Sequence, residues 1–156
     1  MTAEHMSPEE LAEWMRHEHE ALQSLNKILR QHIAGMPEVN LGDWLRGLQA
    51  GFERLRTHLE RNFAAKESGG YLSIVVEKRP TLSPQVESIR REHGEILRMA
   101  EGILRDLEEV KPETRLLLGD VCARVQRFMA IVAQHDQREN MITLLVFNQD
   151  FGGETD

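Results

Sequence analysis

The sequence predicts an all-α protein built as an antiparallel up-down-up-down four-helix bundle. Three observations carry this. Apolar residues recur in steps of three and four along four long stretches. Cap and stop residues bracket those stretches, and short connections between long helices favour antiparallel neighbours. The first stretch, about 8–34, opens with "SPEE": Ser7 as N-cap, Pro8 at the first helical position and Glu10 three residues after the cap. Gly35 and Pro37 end it. The second, about 41–68, has Asn40 as its cap in "NLGD" and stops at Gly69-Gly70. The third, about 84–110, repeats the opening device at Ser83 and Pro84. The fourth, about 112–148, starts at Pro112 in "KPET" and stops at Gly152-Gly153. "YLSIVV" at 71–76 is the one competing strand pattern, and it fits a helical turn against the bundle equally well. A length of 156 residues fits a single domain spanning 1–156.

Bulk properties narrow the function. The formal net charge is −7, which disfavours nucleic acid or an anionic membrane as partner. No stretch approaches the ~20 apolar residues that span a bilayer. The opening "MTAEHMSPEELAEW" has neither the basic nor the apolar region of a signal peptide. Cys122 is the only cysteine, so no intramolecular disulfide can form, and a cytoplasmic location is expected. No Gly-rich phosphate loop follows a strand, and no Ser-His-Asp or Cys-His arrangement presents itself. Cys122 adjoins an apolar stripe and reads as a small buried residue.

The informative feature is where the stripes turn polar. On the second helix Leu41, Leu45, Leu48, Phe52, Leu55 and Leu59 lead to Asn62 and then Lys66, where core residues are due. The first helix carries His19 between Met15 and Leu22, with Leu25, Leu29 and Ile33 beyond. On the third, His93 interrupts Val86, Ile89, Ile96, Ala100, Ile103 and Leu107. On the fourth, His135 and Glu139 interrupt Leu117, Val121, Val125, Phe128, Val132 and Ile142. Pairs at i, i+4 project side by side, as Asn62/Lys66 and His135/Glu139 do. Counted from their common pole of an antiparallel bundle, the depths of His19, Asn62, His93 and His135 span about 9 Å at ~1.5 Å per residue. The side chains can therefore converge on one layer. The layout also repeats: Glu18-His19 then Asn62/Lys66 in one hairpin, Glu92-His93 then His135/Glu139 in the next.

These residues resemble the hemerythrin-like family, the HHE cation-binding domains. "EHEAL", "EHGEIL" and "HDQRENMITLLVFNQDFGG" fit its pattern, and "ESGGYL" is similar to one branch in which a glutamate-rich run precedes Gly-Gly-Tyr. The match runs from about residue 8 to 153. The resemblance implies two irons held by a histidine from one helix and a His-x-x-x-Glu pair from the next, in each half. It assigns ligand positions to His19, His93, His135 and Glu139. The second-helix pair falls on Asn62 and Lys66, and neither matches.

What remains is one histidine pair with a carboxylate: His93, His135 and Glu139. Two imidazoles and one carboxylate with open positions suit a mononuclear Fe(II), and Zn(II) is compatible. One iron per chain is the expectation. Lys66 has two readings: an ammonium standing where the second cation would sit, paired with Glu139, or a lysine in the last turn that snorkels to solvent. His58, one turn before Asn62, is a candidate substitute ligand, although a partly exposed helix histidine is the plainer reading. His5 and His17 read as surface residues, His32 as a residue near a helix end, and Trp14, Trp44, Phe63 and Phe128 as packing residues. The resemblance implies a metal ion, and with it a diatomic gas, as partners, in oxygen, nitric oxide or redox sensing or in iron handling. The competing reading is a metal-free bundle that serves as an interaction module with a polar core network. An oxidase using two irons is disfavoured by the missing second-helix ligands.

Overall fold

A computed structural model describes residues 6–68 and 70–152, with side chains described through residue 147. The expectations for His5, Gly69 and Gly153 lie outside the described residues. Five helices follow in order: α1 (Pro8–Ala34), α2 (Leu41–Ser68), α3 (Tyr71–Lys78), α4 (Ser83–Glu109) and α5 (Arg115–Gly152). A 3-10 turn, Pro80–Leu82, joins α3 to α4, and no strand occurs among the described residues. The long helices contact one another in a ring, α1 on α2, α2 on α4, α4 on α5 and α5 on α1.

The first start signal works as expected. Ser7 is extended, and its side chain accepts a hydrogen bond from the Glu10 N–H at 3.1 Å. The Ser83 expectation does not hold. Ser83 is already helical and caps nothing, because the turn after Arg79 feeds α4 directly. Pro112 is likewise not the start of α5. Thr114 folds back on Lys111, its N–H and hydroxyl both donating to that carbonyl, and the first helical bond runs from the Leu118 N–H to Thr114. The segment "YLSIVV" is helix rather than strand: Gly70 supplies a left-handed φ of 88° and α3 follows, burying Tyr71, Leu72 and Val75.

Asn40 precedes α2 at a φ of 61°, a conformation asparagine tolerates, and its carbonyl accepts from the Trp44 N–H. Gly51 lets α1 approach α2 closely. A Cβ there would stand 2.9 Å from a Leu29 methyl carbon.

Burial follows the expected stripes on α2 and α4 residue for residue from Leu45 and Val86 onward. On the other two helices several expected positions are not buried: His19, Leu25 and Ile33 on α1, and Leu117 and Ile142 on α5. On α5 Leu118 is buried and Leu117 is exposed. On α1 Asn26 takes the buried position beside Leu22 and Leu29, and Leu25 lies at the edge. The apolar core is not continuous. One cluster includes Leu48, Phe52, Leu55, Ile96, Leu107, Val125 and Phe128; the other gathers Leu11, Met15, Tyr71, Val75, Val86, Ile89 and Val146. Each fully buried Leu or Phe contributes roughly 1.5–3 kcal/mol. Between the clusters, along α2, α4 and α5 alike, the buried residues are polar apart from Phe63: Asn62, Lys66, His93, His135, Asp136, Glu139 and Thr143.

Candidate metal centre

The centre of this layer is Glu139, which is fully buried. Its Oε1 accepts from the Lys66 ammonium, and its Oε2 lies 2.5 Å from His93 Nε2 and 3.5 Å from His135 Nε2. Burial alone would push the Glu139 carboxyl up. The Lys66 ammonium and the imidazoles of His135 and His93 outweigh it and hold the group well below the usual carboxylate range. Lys66 itself is only 4% exposed, so the snorkelling reading is wrong. Its stem points into the bundle because position 66 continues the α2 stripe through Leu59 and Asn62, and Glu139 stands opposite to receive the charge.

Phe63 sits beside Asn62 on α2 and packs on both imidazoles. Its ring stacks on His93 at 4.0 Å with the planes 10° apart, and it meets His135 edge-on at 5.5 Å. The two imidazoles are themselves perpendicular neighbours, 4.9 Å between centroids. On their outer sides, His93 Nδ1 lies 3.4 Å from Glu67 Oε2, and His135 Nδ1 lies 3.4 Å from Glu92 Oε2. Arg138 in turn binds Glu92.

Of the four expected ligands the structure brings together three. His93, His135 and Glu139 offer donor atoms within 4.8 Å of one another, all buried. His19 is outside that group. Its side chain is 43% exposed and its Nδ1–H donates to Asp136 at 2.6 Å. His58 does not reach the group either: it is partly buried and faces Glu18, 4.0 Å away. Asn62 is buried in the layer. His17 is a surface residue paired with Glu13. His32 stacks on Trp44, and each donates from its ring to the other's backbone carbonyl.

The donor set suits a cation. His135 Nε2 is buried without a hydrogen-bond partner. Leaving such a group unsatisfied costs roughly 1–3 kcal/mol, and a cation is one way to satisfy it. Two neutral imidazoles and an ionised carboxylate are also the ligand types that borderline divalent metals take. Sequence reasoning did not find Asp136, Glu67 and Glu92 as partners of the histidines. Each lies beside a residue the stripe does identify, but the stripe says nothing of which neighbour turns inward across the helix interface.

A helical bundle that closes over two histidines and a carboxylate is the architecture of a cation-binding domain. The hemerythrin HHE cation binding domain model matches residues 10–144, and the chain belongs to that family. No curated protein and no solved structure matches it.

Proposed function

We propose that the protein is a hemerythrin-like domain reduced to one cation, a non-heme iron held by His93, His135 and Glu139, with Lys66 in place of the second. The observation that carries this reading is the division of Glu139: one oxygen faces the two imidazole Nε2 atoms, and the other is bound to a buried ammonium. Coulomb's law gives the reason two cations are disfavoured. An ion at Oε1 would have to displace the ammonium bonded there, whereas an ion at Oε2, though also repelled by it, gains both imidazole nitrogens. The ring of contacts among α1, α2, α4 and α5 is consistent with the up-down-up-down bundle and with one domain over the whole chain. The buried lone Cys122 suits a reducing cytoplasm.

Iron bound by two imidazoles and one carboxylate supplies open coordination positions and a change of oxidation state, the requirements for sensing a diatomic gas or redox poise, or for handling iron. This chain's residues prepare the place. Phe63 and the apolar clusters on either side exclude water, while Lys66 fixes the orientation of Glu139. Elemental analysis of untagged, iron-loaded protein tests the reading. One metal per chain is expected, and two per chain would overturn it. The second reading, a metal-free interaction module, is favoured by the Lys66–Glu139 pair, which neutralises the carboxylate without metal. Protein that takes up no cation under reducing, iron-replete conditions would decide for it.

A further inference from the structure

The histidines around the layer share one further feature. In all four the carboxylate stands at Nδ1: Asp136 at His19, Glu18 at His58, Glu67 at His93 and Glu92 at His135. For His93 and His135 this leaves Nε2 directed at Glu139. An imidazole presents a cation-binding nitrogen in a fixed direction only if its other nitrogen is held. Stacking by Phe63 fixes the plane of His93 but not its sense, because a half-turn of the ring puts carbon where nitrogen was. A carboxylate beside Nδ1 distinguishes the two.

We propose that Glu92 and Glu67 are positioning residues for the cation site: each holds the Nδ1–H of one imidazole, His135 and His93 respectively, so that both Nε2 lone pairs converge on one ion beside Glu139. The inference rests on the single-cation reading of the site. Glu92 is the better anchored of the two. It accepts from His135 at 3.4 Å, and its other oxygen is bound by Arg138. Glu67 is 38% exposed on its side chain, and His93 Nδ1 is buried with no hydrogen-bond partner in its present rotamer. A small rotation of Glu67 completes that bond once the ion takes the Nε2 lone pair and the ring carries its single proton at Nδ1. The two glutamates serve different helices. Glu92 on α4 reaches the histidine of α5, and Glu67 on α2 reaches the histidine of α4, so each ligand is oriented from a neighbouring helix.

The test uses Zn(II), a diamagnetic probe, with the full chain and the variants Glu92→Gln, Glu67→Gln and, as a surface control, Glu87→Gln. Zinc affinity is measured by chelator competition, and imidazole nitrogens are followed by long-range proton–nitrogen NMR of the zinc form. Each of the first two variants should lose about 10- to 100-fold in affinity at unchanged stoichiometry. In the zinc form the Nδ1–H resonance should move for His135 in Glu92→Gln and for His93 in Glu67→Gln. The thermal midpoint of the metal-free protein should stay within a degree or two of the parent, which a merely structural role would not allow. The control should match the parent throughout. If the parent binds zinc and both variants bind it equally well, the positioning role is wrong and the site stands. If the parent binds no zinc, the single-cation reading and this inference fall together.

Discussion

The two halves of the buried layer start from the same plan and end differently. Each has a Glu-His pair on its first helix and a pair at i, i+4 on its second. His93 is 2% exposed on its side chain, whereas His19 is 43% exposed. The difference lies in the phase of the stripe. On α4 the buried residues Ile89, His93, Ile96 and Ala100 follow one another without a gap, so His93 lies on the centre line. On α1 the buried residues pass from Met15 to Leu22, leaving Glu18 and His19 on either flank. Glu18 accordingly turns to His58 on α2 and His19 to Asp136 on α5. A histidine of the right type in the right motif is thus withdrawn from the layer by its place on the helix. With Lys66 also in place, the α1/α2 half has exchanged a cation's ligands for a cation.

The largest effect expected from breaking this asymmetry is that of Lys66→Met. Removing one partner of a buried ion pair costs roughly 3–5 kcal/mol, because Glu139 is left with an uncompensated charge. Denaturant unfolding of the metal-free variant should show that loss. Metal affinity should move the other way and rise, since the ammonium no longer opposes the ion, and loading should return much of the stability. For contrast, Leu48→Ala in the apolar cluster should cost about 2–5 kcal/mol and leave metal affinity unchanged. A Lys66→Met protein as stable as the parent without metal would deny that the ammonium supports the layer.

Next in size is the loss of ligands. His135→Ala and His93→Ala should abolish uptake of the ion, as followed by elemental analysis. His19→Ala should retain it, because His19 is committed to Asp136 at the surface of the bundle. Metal loss in His19→Ala equal to that in His135→Ala would mean that the two halves cooperate after all. His17→Ala, far out on α1, should change nothing.

How much of this was legible in the sequence can be judged at particular residues. The α2 and α4 stripes were readable to the residue, since leucine, isoleucine and phenylalanine at steps of three and four leave no competing face. Asn62 and Lys66 on α2, His93 on α4, and His135 and Glu139 on α5 stand as interruptions of their stripes, and all five are buried. Where an apolar residue stood one position off the true face, the reading slipped: Leu25 for Asn26 and Leu117 for Leu118. The first of these hides the phase of α1, and with it the displacement of His19. Terminal residues were misread for a different reason. A Ser-Pro or Lys-Pro opening is compatible with a cap, but the 3-10 turn before Ser83 and the Thr114 turn after Pro112 are set by local hydrogen bonds that residue types alone do not select.

A smaller effect should appear in the acid limb of stability. Glu139 is held below the usual carboxylate range in the folded protein. A depressed folded value contributes stability that is complete above the unfolded value, near ~4.3 for glutamate, and is lost as pH falls from there towards the folded one. Lys66→Met removes the chief cause of the depression. The gap in thermal midpoint between metal-free parent and variant should therefore be widest near neutrality and close as the pH drops below about 4. A gap that stayed constant to acid pH would assign the loss to packing rather than charge.

The smallest expected effect lies in the apolar region and sets its baseline. Cys122 is buried in the larger cluster, and burial pushes its thiol up from the ordinary value. Both the scarcity of thiolate and the lack of access should make alkylation of the native protein slow. Cys122→Ala removes one sulfur from a packed site, comparable to an Ile→Val change, so a cost of about 0.5–1.5 kcal/mol is expected. Metal content should not change, because Cys122 belongs to the larger apolar cluster and stands more than three helical turns before His135 on α5. Alkylation kinetics of the parent add the more useful information. If the layer and the apolar cluster open as one unit, loading the ion should slow alkylation by the factor that it adds to global stability. If alkylation is indifferent to the ion while unfolding is not, Cys122 is reached through a local opening, and the two regions of the core are separable.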